Sequence, residues 1–298
     1  MLPEKISVIG AGTMGNGIAH VFAQHGFPVT LVDVQAPQLE KALQTIARNL
    51  DRQVAKSLLS EQDKVAILDR IKTETLLAEG VKAADLVVEA ATENLALKLQ
   101  IFRELDTHAP ESAILASNTS SISITRIASA TQRPGQVIGM HFMNPVPVMK
   151  LVEVINGYAT APAITETITQ LSKKLDKIPC VANDYPGFIA NRILMPMINE
   201  AIYALFEGVG NVEAIDTVMK LGMAHPMGPL QLADFIGLDT CLSILQVLQE
   251  GLGQPKYAPC PLLVNMVTAG KLGVKSGEGF YTYQAGSKAL KVSRQFQS

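Results

Sequence analysis

A histidine and a glutamate twelve residues apart are the first pair in this sequence that could do acid–base chemistry. His141 follows the apolar run Val137–Met140, and Glu153 lies inside the apolar run Leu151–Ile155. A carboxylate in so apolar a run is costly unless it is paired, and an Asn-Pro-Val-Pro turn between the two runs could bring His141 alongside it. A neutral imidazole can take the proton of an alcohol while the carboxylate holds its tautomer. The pair therefore predicts a base for alcohol oxidation, with a structural ion pair as the alternative.

Two other polar residues could touch a substrate oxygen. Ser120 belongs to a Ser-Asn-Thr-Ser-Ser run that follows the predicted strand Ile114–Ala116. It is therefore expected at the carboxyl edge of the sheet, where open α/β folds bind ligands. The next residue, Ser121, is expected to cap the following helix. Asn191 falls in a strongly apolar helix, where an unpaired amide would cost about 1–3 kcal/mol, and a structural role is as compatible with its position as a catalytic one.

A glycine loop near the N-terminus could hold a dinucleotide. A G-x-G-x-x-G motif follows the predicted strand Ile6–Ile9 and opens a helix predicted over Met14–Gln24, so its backbone N–H groups would face a diphosphate. Asp33 lies 18 residues after the last glycine, where a carboxylate binds the adenosine ribose and repels a 2′-phosphate. NAD is therefore expected rather than NADP. The loop residues expected to bind it are Gly10, Gly12, Thr13, Met14 and Gly15.

The elements that must position these residues alternate between strands and helices over the first 180 residues. This alternation predicts an α/β fold with a Rossmann-type, mostly parallel sheet. From Gln38 to Arg70 two helical patterns follow each other, the second capped by Ser60 with Asp63, which predicts a helical hairpin insertion. The predicted strands are Ile6–Ile9, Val29–Val32, Leu86–Val88, Ile114–Ala116, Val137–Met140 and Leu151–Ile155.

Beyond Asp184 the sequence is typical of helices separated by glycines, which predicts an all-α C-terminal domain. We expect an NAD-binding domain over residues 1–183 and a helical substrate and dimerisation domain over residues 184–298. The helix from Phe188 is apolar nearly all round, more than the single stripe of a surface helix, so it is expected at the domain centre, at a subunit interface, or both. Residues 286–298 are expected to form a loose tail.

Composition excludes several classes of protein. A net charge of -2, from 25 basic and 27 acidic residues without long like-charged runs, is unlike a nucleic-acid-binding surface. No apolar stretch reaches the roughly 18 residues of a membrane span, and the N-terminus lacks a leader pattern. The scattered cysteines Cys180, Cys241 and Cys260 fit neither disulfides nor a metal site, and we expect all three to be buried. A cytoplasmic protein without a membrane, nucleic-acid or metal partner is expected.

Seven segments, taken in order, resemble the 3-hydroxyacyl-CoA dehydrogenase family, and within it the single-function bacterial enzymes of 3-hydroxybutyryl-CoA. They are VIGAGTMGNGIA, DLVVEAATEN, ILASNTSSISIT, IGMHFMNPVPVMKLVEVI, DYPGFIANRILMPMINEA, KLGMAHPMGPLQLADFIGLD and SGEGFYTY. The resemblance implies NAD-dependent interconversion of (S)-3-hydroxybutyryl-CoA and acetoacetyl-CoA. It implies that His141 is the base, that Glu153 orients it, and that Ser120 and Asn191 touch the reacting oxygen or the thioester.

The resemblance also implies ligand contacts elsewhere in the chain. Asp33, Glu93 and Lys98 would contact NAD, and Asn118 and Asn144 would line the site. The hairpin would bind the coenzyme A tail, with Lys56 and Lys64 as candidate phosphate partners, and the helical domain would form a homodimer. Two alternatives remain open: a related dehydrogenase of a free hydroxy or sugar acid, and a non-catalytic NAD-binding protein. Loss of acyl-CoA affinity on removing the hairpin lysines would argue against a dehydrogenase of a free acid.

Overall fold

The computed structural model describes residues 2–284 and 290–297. The chain divides into an N-terminal unit that ends at Tyr185 and a C-terminal unit that begins at Pro186. The N-terminal unit contains β1 (Ile6–Ile9), α1 (Thr13–Gln24), β2 (Val29–Val32), α2 (Ala36–Ala55), α3 (Glu61–Asp69), β3 (Ile71–Glu74), α4 (Leu77–Val81), β4 (Leu86–Glu89), α5 (Leu95–His108), β5 (Ile114–Ser117), α6 (Ile124–Ala128), β6 (Val137–Phe142), β7 (Leu151–Asn156), α7 (Pro162–Lys174) and β8 (Ile178–Asn183).

One eight-stranded sheet organises the described part of the N-terminal unit, in the order β3-β2-β1-β4-β5-β6-β7-β8. The first six strands run parallel, β7 is antiparallel to β6, and β8 is parallel to β7. Every residue of β1, β4 and β5 is buried, as expected for central strands covered on both faces. The loops that follow β1, β4, β5 and β6 therefore meet at one edge of the sheet, which confirms the predicted mostly parallel Rossmann-type fold.

All six predicted strands are confirmed, with ends within two residues of the prediction. His141 lies inside β6 rather than beyond its end, because β6 continues to Phe142. Two strands of this sheet were missed, β3 and β8, and both are edges of the sheet. Edge strands carry exposed side chains, and β8 also contains Pro179, so neither has the continuous apolar run of a central strand.

The helical hairpin is confirmed as α2 followed by α3. Ser60 caps α3, and its side chain and that of Asp63 each accept a bond from the other's backbone N–H. The predicted cap at Ser121 is wrong: α6 begins at Ile124, and its capping side chain is that of Ser123, two residues later. The expectation that all cysteines are buried is wrong for Cys180, which is exposed on edge strand β8.

The C-terminal unit is mainly helical, as predicted, but it is not all-α, because the missed strands β9 (Tyr281–Thr282) and β10 (Lys291–Val292) form a small antiparallel sheet. Buried residues of α8 (Ala190–Phe206), among them Met195, Ile198 and Ile202, pack in its core. No single helix among the described residues is both long and apolar enough to cross a membrane. Only α10 (Pro229–Ile236) and α11 (Leu238–Leu252) taken together, bent by 97°, would have that length and composition. The elements are α8 (Ala190–Phe206), α9 (Val212–Thr217), α10 (Pro229–Ile236), α11 (Leu238–Leu252), α12 (Pro261–Thr268), β9 (Tyr281–Thr282) and β10 (Lys291–Val292).

The predicted loose tail is wrong for residues 290–297. There β10 pairs with β9, the ring of Phe296 stacks on that of Phe280 at 5.7 Å, and Ser293 is fully buried. These contacts involve residues far apart in the chain, so local sequence did not reveal them. The remainder of the predicted tail, residues 286–289 and 298, lies outside the described residues.

Candidate active site

His141 and Glu153 form a buried pair on adjacent strands. They lie directly opposite each other in the antiparallel ladder of β6 and β7, so their side chains project from the same face. The distance between His141 Nδ1 and Glu153 Oε2 is 2.9 Å, and the two residues are 7% and 2% exposed. A carboxylate only accepts hydrogen bonds, so it selects the tautomer with Nδ1–H and leaves the lone pair on Nε2. The predicted meeting of these side chains is confirmed.

Glu93 holds the loop that carries Ser120. Its Oε1 accepts bonds from Ser120 N at 2.9 Å, from the Thr119 hydroxyl at 2.5 Å, and from the backbone N and hydroxyl of Ser121 at 3.1 Å each. Ser120 is partly exposed at the sheet edge, as expected. Glu93, on the loop after β4, therefore shapes the loop after β5.

Asn118 ties the same loop to the histidine strand. Its side-chain Oδ1 accepts a bond from the backbone N of Phe142 at 2.8 Å, one residue beyond His141. Asn118 is 8% exposed. The structure thus brings Ser120, Asn118 and His141 to one edge of the sheet on two neighbouring strands.

A buried ammonium and carboxylate lie beneath this loop. Lys98 Nζ is 2.7 Å from Glu89 Oε1 and 3.4 Å from Glu93 Oε2, and it is 1% exposed. The Ser117 hydroxyl donates to the other oxygen of Glu89 at 2.7 Å. Sequence reasoning missed Glu89 and Ser117. The available signal was an acid at the end of the apolar strand Leu86–Val88, the same signal that identified Glu153.

The glycine loop has the shape expected of a diphosphate cradle. Gly10 has a φ of +96°, which favours glycine, and a Cβ on Gly15 would lie 1.7 Å from the carbonyl oxygen of Gly10. Around Gly12, by contrast, no described atom lies within 4 Å of an added Cβ. The loop opens α1, whose first residues are Thr13 and Met14 and whose first-turn N–H groups have no partner within the helix.

Asp33 links the end of β2 to this loop. Its Oδ2 accepts a bond from Ala11 N at 2.8 Å, and its Oδ1 accepts one from Gln35 N at 3.0 Å. The carboxylate is partly buried beside the loop, the position that suits an adenosine ribose.

A cavity of about 240 Å³ lies between the glycine loop, α2 and the turn that contains Asn144. It is lined by four polar residues of α2 that sequence reasoning missed as site residues: Gln38, Lys41, Thr45 and Asn49. Lys56 is exposed immediately after α2, whereas Lys64 is already paired with Asp51 and lies 3.9 Å from Glu61. The full lining consists of Ala11, Gly12, Thr13, Asn16, Gly17, Gln38, Lys41, Ala42, Thr45, Asn49, Asn144, Pro145, Val146 and Pro147.

Asn191 belongs to the C-terminal unit. It lies in the first turn of α8 and is 9% exposed. Gly187 and Phe188, which lie three and two residues before the start of α8, have positive φ angles of +78° and +49°. Among residues 2–284 and 290–297, no cluster of three or more His, Cys, Asp or Glu side chains could hold a metal ion.

Both units of the chain match models of one protein family. The model of the 3-hydroxyacyl-CoA dehydrogenase NAD binding domain matches residues 5–185, and that of the 3-hydroxyacyl-CoA dehydrogenase C-terminal domain matches residues 187–283. The chain belongs to the 3-hydroxyacyl-CoA dehydrogenase family. The resemblance seen in the sequence motifs is therefore confirmed.

Members of the 3-hydroxyacyl-CoA dehydrogenase family match over nearly their whole length. A 3-hydroxybutyryl-CoA dehydrogenase of Bradyrhizobium diazoefficiens is 58% identical over 94% of this chain and 96% of the relative. A probable 3-hydroxybutyryl-CoA dehydrogenase of Bacillus subtilis is 54% identical over 94% of this chain and 98% of the relative. The crystal structure of an (S)-3-hydroxybutyryl-CoA dehydrogenase from Ralstonia eutropha has a TM-score of 0.92 and 49% identity, covering 95% of this chain and 99% of that one.

Proposed function

We propose that this protein is an NAD-dependent dehydrogenase that interconverts (S)-3-hydroxybutyryl-CoA and acetoacetyl-CoA. The names of its similar relatives support the substrate, and the family model of residues 5–185 supports the cofactor. The observation that carries the chemistry is the buried contact of 2.9 Å between His141 Nδ1 and Glu153 Oε2.

In this proposal His141 is the general base. Its Nε2 takes the proton of the substrate 3-hydroxyl, and Glu153 stabilises the imidazolium that forms. Ser120 donates a hydrogen bond to the same oxygen, and Asn191 contacts the reacting oxygen or the thioester. NAD, when bound, supplies the hydride acceptor. In the reductive direction the imidazolium of His141 returns its proton to the substrate oxygen.

The N-terminal unit fits NAD. The space around Gly12 admits a diphosphate, and the first-turn N–H groups at Thr13 and Met14 would bind it. Asp33 would bind the adenosine ribose, and its charge disfavours the 2′-phosphate of NADP. We propose that Glu93 and Lys98 lie beside the nicotinamide end of bound NAD. The hydrogen bond that Glu93 accepts from the backbone N of Ser120 is consistent with this position.

The coenzyme A tail is proposed to follow the hairpin. The cavity beside α2 offers Lys41, Thr45 and Asn49, while Lys56 lies exposed beyond the end of that helix. We propose that Asn144, which lines this cavity, and Asn118, at the sheet edge, border the bound ligands. An ammonium such as that of Lys56 suits an adenosine phosphate.

The decisive experiment measures NADH consumption with acetoacetyl-CoA for the wild type and for His141→Ala. We expect the variant to lose at least about a hundredfold in kcat, the lower range of general-base contributions. The exposed histidine of α5 provides a matched control, His108→Ala, which should keep wild-type activity. Equal rates for wild type and His141→Ala would remove the proposed base. Faster reduction of free acetoacetate than of its CoA ester would instead favour a free-acid dehydrogenase.

We further propose that the protein is a homodimer assembled through its C-terminal unit. Large apolar side chains are exposed there, including Phe206 at the end of α8 and Val218 and Leu221 after α9, and Leu221 is 82% exposed. An apolar cavity of about 420 Å³ lies beside them. Such clustered apolar exposure is typical of a protein–protein interface.

Light scattering tests this interface. It should show a dimer for the wild type and a monomer for Leu221→Glu, whereas the control variant Leu58→Glu on the hairpin should stay dimeric. A dimeric Leu221→Glu variant would contradict the proposed interface.

We also propose a cytoplasmic location. The cysteines at positions 180, 241 and 260 are all free in the described chain, which suits a reducing compartment. Fractionation of the native host with an antibody against the protein would test this, and recovery from an extracytoplasmic fraction would contradict it.

A further inference from the structure

Lys177 buries its ammonium against two backbone carbonyl groups. The residue precedes β8 and is 6% exposed. Its Nζ donates to the carbonyl oxygen of Val146 at 2.5 Å and to that of Met149 at 2.7 Å. Burying an ammonium is costly, so its hydrogen bonds to these carbonyls must hold it in place.

The carbonyls belong to the connection between the two strands of the candidate base. Residues 143–150 join β6, which carries His141, to β7, which carries Glu153. Within this connection the backbone N–H groups of Val148 and Met149 both bond to the carbonyl oxygen of Pro145, at 3.0 and 2.9 Å. Lys177 Nζ therefore bonds to two carbonyl groups of a tight turn.

The same turn forms one wall of the cavity beside the glycine loop. Asn144, Pro145, Val146 and Pro147 all line that cavity. The Val146 side chain also packs on α1, because a Cβ added to Gly17 would lie 2.9 Å from Val146 Cβ. The wall is thus contacted both by α1 and by Lys177.

We propose that Lys177 is a positioning residue for ligand binding, whose ammonium holds the 144–149 turn in the shape that forms the wall of the cavity. The inference rests on the proposed function, since it takes this cavity as part of the NAD and acyl-CoA site. Lys177 touches neither ligand. Its effect therefore falls on binding, while the ladder between β6 and β7 keeps His141 and Glu153 paired.

The charge of Lys177 responds to its surroundings. Burial, together with the positive charge of Lys150, lowers its pKa from 10.5 to about 8, and Asp176 opposes the change. His20 of α1 also lies near the ammonium, and burial lowers the pKa of His20 to about 4, so that His20 is neutral above pH 7. Between pH 7 and 9 the ammonium loses its proton, and a neutral amine binds the two carbonyls less strongly.

The test compares Lys177→Met, which nearly keeps the length of the side chain but removes its charge, with Lys177→Arg, which keeps the charge. At pH 7 we expect Lys177→Met to raise the KM for NADH and for acetoacetyl-CoA about tenfold, the effect of losing roughly one charged hydrogen bond, with kcat within twofold. Lys177→Arg should restore most of the affinity. Lys173→Met, at an exposed lysine of α7, is the matched control and should behave as wild type.

A folded Lys177→Met variant with wild-type KM for both ligands would overturn the inference. So would an equal loss in Lys177→Arg. If the methionine variant does not fold, the wild-type pH profile decides: KM must rise at least threefold between pH 7 and 9, and an unchanged KM overturns the inference. Wild-type turnover tests the proposed function on its own; if turnover is absent, the dissociation constant of NADH for the variants, measured by fluorescence without acyl-CoA, still tests Lys177.

Discussion

The substitution Glu153→Gln isolates the charge of the carboxylate behind His141. Glutamine keeps the size of glutamate and can still accept the bond from His141 Nδ1, which now spans 2.9 Å. Both residues are almost completely buried, so water cannot replace the lost charge. The imidazolium that forms when His141 takes the substrate proton would then face a neutral amide.

The size of the effect follows from this geometry. With Nδ1 and Oε2 at 2.9 Å, the centres of the imidazolium and carboxylate charges lie about 4 Å apart, and their attraction at an effective dielectric constant of about 20 is roughly 4 kcal/mol. That energy is present only after the proton has moved. Its loss therefore lowers kcat by about three orders of magnitude and leaves KM within a few-fold of wild type.

The assay follows NADH absorbance at saturating acetoacetyl-CoA for Glu153→Gln, His141→Ala and the double variant. Because Glu153 acts only through His141, the double variant should be no slower than His141→Ala alone. Glu111→Gln, at an exposed glutamate, is the matched control. A kcat for folded Glu153→Gln within tenfold of wild type would refute the reasoning. So would losses that multiply in the double variant, because they would show two independent contributions.

Four other substitutions give distinct outcomes. Gly15→Ala should lower the free energy of unfolding by more than about 3 kcal/mol, because the new Cβ would lie 1.7 Å from the carbonyl oxygen of Gly10. Gly12→Ala should unfold at the wild-type temperature but raise the KM for NADH at least about tenfold. Thermal unfolding and steady-state kinetics check both predictions. Burial raises the pKa of Asp234 from 3.8 to about 6, so the proton that it binds in the folded state stabilises the fold below pH 4. About 3 kcal/mol of the free energy of unfolding is therefore lost as the pH rises through 6. Urea unfolding of Asp234→Asn should lack this fall, and a parallel pH profile would contradict the assignment. Lys98→Met should cost about 3–5 kcal/mol in urea unfolding, because it leaves a buried carboxylate without its ammonium, and a cost below about 1 kcal/mol would argue against that ion pair.

Local sequence alone determined the parts of this protein that a few neighbouring residues specify. The G-x-G-x-x-G loop depends on the steric freedom of glycines within six positions, so the cradle between β1 and α1 was predictable. The cap of α3 at Ser60 needs only its partner three residues on. The continuous apolar runs of the central strands β1, β4 and β5 likewise indicated burial on both faces.

Tertiary structure decided the contacts that depend on partners distant in the chain. The edge strands β3 and β8 have no apolar pattern of their own and exist because neighbouring strands offer unpaired backbone groups. Lys98 pairs with Glu89 only because α5 folds back over β4, and Lys177 reaches Val146 across 31 positions. The sequence indicated that Glu153 needed a partner, since an unpaired buried charge is too costly. Its distance and its shared face with His141 came from the antiparallel register of β6 and β7, which arises only when the whole sheet assembles and removes both side chains from water.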